Sequence, residues 1–347
     1  MKERLNEISL LRPIIIVILV FRHAFTMYTH SWPYPEGIHD VLPYFWIHKY
    51  SFACMLEMFV FMSGYIFGFQ IYGKRKTFSF SALALGKARR LLLPSVIFSL
   101  MYIALFTHMF QDGQWLDIAR EALYGYAHLW FLPMIFWCFL AAWLLLKTRL
   151  NDGLVLCLLA VLALFSWLPL PMQLGQALYF MPFFYAGMAV FRHRAPLLSW
   201  AEKHLSVLLG GVAFFMVAVF LFTSNMEILR AQFAGSAGIF ESFALHAEYI
   251  LCRMLYSTIG VALSYLLALF CAKRCTLSPH WEAWNKLCFA VYIFQQFILE
   301  WLYYHTSLPQ LLGSYLLPWV GFAVALSLSY VLARLFMLTR TGRFLLG

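Results

Sequence analysis

The chain has 347 residues, of which 63% are hydrophobic, 19% aromatic and only 12% charged. Soluble domains carry about 25% charged residues, so the composition excludes an ordinary soluble enzyme, a disordered chain and a disulfide-stapled secreted domain. The net charge of +10 does not point to nucleic acid, because the cations stand in short clusters between apolar runs, as the positive-inside rule produces.

A membrane-spanning helix needs about 20 mostly apolar residues. In chain order this criterion predicts about ten transmembrane helices, over residues 9–28, 50–72, 90–109, 127–146, 153–169, 177–191, 205–224, 249–271, 287–305 and 315–337. The expected fold is therefore an all-α polytopic membrane protein, with a single integral-membrane domain over 1–347. The first run lacks a small-residue cleavage site and carries Arg22 and His23 in its second half, so it reads as a helix and not a signal peptide. The fifth and sixth runs are short and separated by a turn at Pro169 and Pro171.

Orientation follows from the cations. With the N-terminus in the cytoplasm, Lys2, Arg4, Arg12, the Lys74–Lys76 run, Lys87, Arg89, Arg90, Lys147, Arg149 and the later basic residues collect on one face. Only Lys49, Arg120 and Arg230 fall on the other, while Arg22 and Arg253 lie within spans. That asymmetry places both termini in the cytoplasm. The outer loops differ in kind: the segment from His30 to Lys49 holds Trp32, Glu36 and Asp40, and that near 225–246 holds Glu227 and Glu241. The seven cysteines show no zinc or redox spacing, and no two histidines fall within a helix turn at ligand spacing, so no metal site is expected.

Ionisable groups inside a membrane cost about 2.5–3.5 kcal/mol each at a helix centre, which makes each a functional candidate. Arg12 and His23 are eleven residues apart, three turns plus about 20°, so both face one direction about 16 Å apart along the axis. A cation at the inner edge and an imidazole farther out on one stripe describe a path across the bilayer. Arg22 stands beside His23, and Glu57 in the second span is placed to pair with Arg22 or to orient His23. Gln296 and Glu300 of the ninth span are one turn apart and suit one cavity wall. Trp130 suits either sugar stacking or the interfacial aromatic belt.

Five segments then carry a resemblance. Leu11-Arg12-Pro13 through Phe21-Arg22-His23 resembles the opening Leu-Arg-Gly…His signature of the membrane acyltransferase-3 family, with Pro13 in place of Gly. Glu57-Met58-Phe59-Val60-Phe61-Met62-Ser63-Gly64-Tyr65 resembles its acidic Phe-Phe-x-x-Ser-Gly-Phe segment. Lys87-Ala88-Arg89-Arg90 through Pro94 resembles its Arg-x-x-Arg-x-x-x-Pro segment, with Lys87 for an Arg. His128-Leu129-Trp130-Phe131-Leu132 resembles its His-Leu-Trp-Phe-Leu motif, and Cys288 through Gln296 its late Ser-Tyr-x-x-Tyr-Leu-x-His segment, where Gln295 stands at the histidine position. The matches run in family order over nearly the whole chain.

The resemblance implies a ten-helix core in a bacterial inner (cytoplasmic) membrane. It also implies transfer of an acyl group, commonly acetyl from acetyl-CoA, to a saccharide or other envelope hydroxyl at the outer face, as in polysaccharide O-acetylation. No permanently bound cofactor is expected, acyl-CoA being a co-substrate. On that reading His23 is the general base, with Arg12, Arg22 and Glu57 guiding the donor, stabilising the oxyanion and orienting the imidazole. Lys87, Arg89 and Arg90 meet the phosphates of CoA. His128, Trp130, Tyr292 and Gln295 face the acceptor. No fused extracytoplasmic hydrolase-like domain, which some members carry, is expected, so the expected partners are acyl-CoA, a surface glycan or glycolipid, the bilayer, and either a separate extracytoplasmic protein or a second copy, with no nucleic acid. Two other readings stay open: a secondary transporter or flippase for an anionic or lipid-linked substrate, since carriers also hold intramembrane Arg, His and Glu, and a non-catalytic glycan sensor.

Overall fold

The computed structural model describes residues 5–148, 150–235 and 238–347, without the side chains of 226–235, 239 and 240. Lys2, Arg4 and Arg149 of the basic face lie outside the described residues, as do the side chains of Glu227 and Arg230. The described residues are helical and connecting segments, with no strand among them.

The helices are α1 (Asn6–Ala24), α2 (Leu42–Phe52), α3 (Met55–Gly68), α4 (Phe80–Lys87), α5 (Leu93–Phe106), α6 (Trp115–Tyr124), α7 (Phe131–Leu145), α8 (Asp152–Ala163), α9 (Leu174–Arg192), α10 (Arg194–Lys203), α11 (Leu205–Gly235), α12 (Ile239–Arg274), α13 (Pro279–Tyr304), α14 (Leu308–Leu338) and α15 (Arg340–Leu346). Among the described residues, eight helical stretches are long and apolar enough to cross a membrane. They match eight of the ten expected runs. The first run forms α1, whose 19 residues reach about 28 Å but carry Glu7, Arg12 and Arg22. The expected span 153–169 is shorter than read: α8 has 12 residues, about 18 Å against a hydrocarbon core of about 30 Å. The chain turns over 164–168 through successive i→i−3 hydrogen bonds, since Pro169 disfavours helical geometry before it and Pro171 has no N–H to continue a helix.

Helix starts follow local chemistry. Asn151 accepts the Leu154 N–H to cap α8, and Ser278, followed by Pro279, accepts that of Trp281 to cap α13. Two π-helical segments interrupt the regular geometry, Phe69–Gly73 after α3 and Ala88–Leu92 between α4 and α5. The second carries Arg89 and Arg90.

α1 is the central helix, packed on α3, α12, α13 and α14. Its start is fixed by Glu7, 1% exposed, which accepts from Tyr65 at 2.7 Å and from the Arg194 guanidinium at 3.1 Å. The α3–α9 seam sets the spacing around it. A Cβ at Gly64 would overlap the carbonyl oxygen of Phe184, and one at Gly187 that of Phe61. Small residues allow such close backbone approach where lipid supplies no hydrophobic drive between helices.

Forcing bulk into this seam displaces backbone and not a flexible side chain. Gly64→Val and Gly187→Val are each expected to cost about 1–3 kcal/mol or more, read as a lowered thermal midpoint of the detergent-solubilised protein. Gly210→Ala, where a Cβ meets nothing within 4 Å, is expected to leave that midpoint unchanged.

Candidate functional site

The last turn of α1 delivers Arg22 and His23 to the bottom of a cavity of about 410 Å³, a size suited to a small ligand. The helix ends here because Phe25 N–H and the Thr26 hydroxyl both turn back to the Arg22 carbonyl, at 3.0 and 3.1 Å. His23 is 7% exposed. Its Nδ1 lies 3.0 Å from Gln295 Oε1, and its Nε2 lies 3.3 Å from Arg22 Nη1. The Arg22 guanidinium can only donate, which assigns Nε2 as the unprotonated nitrogen and Nδ1–H as donor to Gln295. The arrangement leaves a basic nitrogen at the cavity wall beside a cation. Trp32, from the loop after α1, lies nearly parallel over the imidazole, with ring centroids 6.1 Å apart. Arg22 itself packs over the Phe52 ring at 4.0 Å.

α13 supplies the opposite wall. Its Ile293 carbonyl accepts from His128 Nε2 at 3.1 Å, and its Tyr292 hydroxyl donates to the His128 carbonyl at 2.6 Å. Gly125 (φ 82°) and Ala127 (φ 50°) hold the left-handed geometry that folds this segment inward. His128 thus lies with its ring 6.4 Å from that of His23. Trp130, Gln296 and Glu300 also line the cavity, and Tyr102 donates to Glu300 at 2.9 Å. Of the expected acceptor contacts, His128, Trp130 and Tyr292 line the cavity, but the Tyr292 hydroxyl is committed to the backbone. Gln295 is fully buried and serves His23.

Glu57 differs from expectation. It neither orients His23 nor bonds Arg22: its Oε1 accepts from Arg253 Nη2 at 2.9 Å and from the Tyr179 hydroxyl at 2.7 Å. The reason is reach across the bundle, since α12 and α9 bring Arg253 and Tyr179 to α3, whereas α13 brings a neutral amide to His23. Arg253 also packs over the Tyr179 ring at 4.4 Å.

The basic residues gather toward the other end of α1. Arg12 lies within electrostatic reach of Arg90, and Arg90 within that of Lys87. Lys87 caps the Phe139 ring at 3.4 Å and Arg89 the Phe344 ring at 4.1 Å. None of the four pairs with a carboxylate among the described residues. π-helical turns recur at functional positions, and here one re-aims Arg89 and Arg90. No group of three or more metal-ligating side chains occurs among the described residues.

Sequence reasoning left Trp32, Tyr102 and Tyr179 without a role, and Arg253 without a partner. Only Arg253 carried a usable signal: an intramembrane cation demands a counter-charge, and Glu57 was the acid in reach. That pair is buried, so breaking it leaves an uncompensated charge at a cost of about 3–5 kcal/mol. Arg253→Met is expected to lower thermal stability by that order, and the double variant Arg253→Met/Glu57→Gln to recover most of it. Equal stability of the single and double variants would show that the pair is not coupled.

Against known proteins, residues 5–338 match the family model described as an acyltransferase domain, acyltransferase family 3. Neither a curated protein nor a solved structure matches the chain. The family match covers nearly the whole chain and, with the helical membrane architecture, is decisive: the chain belongs to the acyltransferase-3 family and is a multi-pass membrane acyltransferase.

Proposed function

We propose that the protein moves an acyl group, acetyl being the natural choice, from cytoplasmic acyl-CoA to a hydroxyl of a saccharide or other cell-envelope acceptor at the outer face of the inner membrane. The observation that carries this reading is the placement on one helix of His23, whose unprotonated Nε2 meets only the Arg22 guanidinium at a cavity, and of Arg12 about 16 Å down the axis, where Lys87, Arg89 and Arg90 from the neighbouring segment add cations with no carboxylate partner among the described residues. Phosphates of the CoA nucleotide suit Arg12, Lys87, Arg89 and Arg90, since Arg gives bidentate contacts and Lys a point charge. The long thin arm then carries the thioester along α1 toward His23.

In the step, His23 Nε2 takes the proton of the acceptor hydroxyl as its oxygen attacks the thioester carbonyl. Arg22 Nη1, already at Nε2, turns its N–H toward the oxyanion of the tetrahedral intermediate. Collapse breaks the C–S bond, and the imidazolium returns the proton to the departing thiolate. The products are an ester and free CoA. Gln295 holds the ring throughout, and Glu57 acts at a distance, fixing Arg253 and Tyr179 beside the cavity. Membership of an acyltransferase family weighs against the transporter reading, and no observation favours it.

The test uses inside-out membrane vesicles given acetyl-CoA labelled in its acetyl group. Wild type is expected to form base-labile label outside the thiol pool. His23→Ala at matched protein level is expected to lower that rate about 10²–10⁴-fold, and Lys87→Ala or Arg90→Ala to raise the KM for acetyl-CoA with kcat little changed. Undiminished transfer by His23→Ala would overturn the mechanism.

A further inference from the structure

One wall of the cavity is unused by the transfer step. Gln296 and Glu300 stand one turn apart on α13 and both line it, as does Tyr102 of α5. Tyr102 donates its hydroxyl to Glu300 Oε2 at 2.9 Å. Oε1 of Glu300 carries no hydrogen bond, and no cation pairs with this carboxylate, among the described residues. Of the groups lining the cavity, Glu300 is the one carboxylate and Arg22 the one guanidinium. Arg22 sits at the His23 end. Glu300 is five residues beyond Gln295, about 7.5 Å farther along the helix axis, toward the segment where Tyr304 bonds the Pro33 carbonyl.

The cavity is therefore polarised, positive at the reacting centre and negative toward the loop after α1. An unpaired carboxylate oxygen in a site of low dielectric accepts strongly from neutral hydroxyl donors. It repels a ligand carboxylate or phosphate, because like charges in contact are poorly screened there. Trp32 and Trp130 offer apolar faces to a ring held between the two ends. We infer that Glu300 selects the acceptor, admitting one whose groups around the reacting hydroxyl are uncharged hydroxyls and turning away one that bears an acidic group there. The inference rests on the acyl-transfer reading for the identity of the acceptor site.

The experiment compares two probe sugars of one shape, methyl α-D-glucopyranoside and methyl α-D-glucopyranosiduronic acid, on the full chain in nanodiscs. Their dissociation constants are read by ligand-observed NMR, which does not require turnover. Wild type is expected to bind the neutral sugar about tenfold tighter or more. Glu300→Gln, which keeps the shape and removes the charge, is expected to bring the two within about threefold. Tyr102→Phe, which keeps the charge, is expected to retain the preference, and guards against loss of fold in the first variant. Equal binding of the two sugars by wild type, an unchanged ratio in Glu300→Gln, or no binding of either overturns the inference. Binding of acetyl-CoA and His23-dependent label transfer on the same samples report the acyl-transfer reading separately. Their loss with the sugar ratio intact overturns that reading and leaves the selectivity of the cavity standing.

Discussion

Everything at the candidate site depends on one buried hydrogen bond, from His23 Nδ1 to Gln295 Oε1 at 3.0 Å. It joins α1 to α13, helices far apart in sequence, and it decides which imidazole nitrogen meets the cavity. A carboxylate in the same place would also orient the ring, but it would bring a charge into a site that already holds Arg22 beside His23. The amide fixes the ring's orientation without adding one. Arg22 sets the tautomer from the other side, since a guanidinium has no lone pair to accept from an Nε2–H. One neighbour thus holds the ring's orientation and the other its tautomer.

The second constraint is the accounting of charge inside the bundle. Glu57 is met at Oε1 by Arg253 and Tyr179, and Glu7 is met by Arg194 and Tyr65. These pairs tie α3 to α12 and α1 to α10, so the energy of burying ions is recovered as position. Arg22 and Arg12 have no such partners among the described residues. An uncompensated cation inside a membrane protein is expensive, and it is retained where a ligand or a transition state supplies the missing negative charge. The unpaired cations fall at the His23 cavity and at the π-helical segment of Arg89 and Arg90, the two places where the proposed reaction brings anionic groups.

Much of the fold was legible because its signals are local. Apolar runs marked the helices, and the eleven-residue spacing of Arg12 and His23 placed both on one stripe of α1. What escaped notice was either relational or irregular. The spacing of residues along α3 says nothing about whether Glu57 will meet α1 or α12, and the partner turned out to be Arg253. Gln295, standing at the late histidine position, was expected to face the acceptor, yet holding a histidine requires only an acceptor oxygen. Trp32 stood in a polar loop with other aromatic residues, and nothing in its sequence neighbourhood distinguishes a residue that stacks on His23 from one at the interface. The fifth apolar run was overextended because hydropathy continues through Trp167 and Leu168, whereas the helix obeys the prolines beyond them.

The distribution of rigidity follows the chemistry that the site is proposed to perform. Where α3 crosses α9, glycines bring backbone against backbone, and no side chain is available to yield. That seam carries Glu57 on one helix and Tyr179 on the other, so the anchor of Arg253 is set by main-chain contact. α1, held at its start by Glu7 and at its end by Gln295, spans the distance between the cation cluster and the imidazole as a fixed ruler. A substrate with a long flexible arm can bridge a fixed ruler without a large change of protein conformation. On the proposed reaction the membrane is crossed by the reach of the donor, and the protein supplies two stationary ends: a cation cluster suited to phosphates and a histidine whose unprotonated Nε2 lies at the cavity beside Arg22.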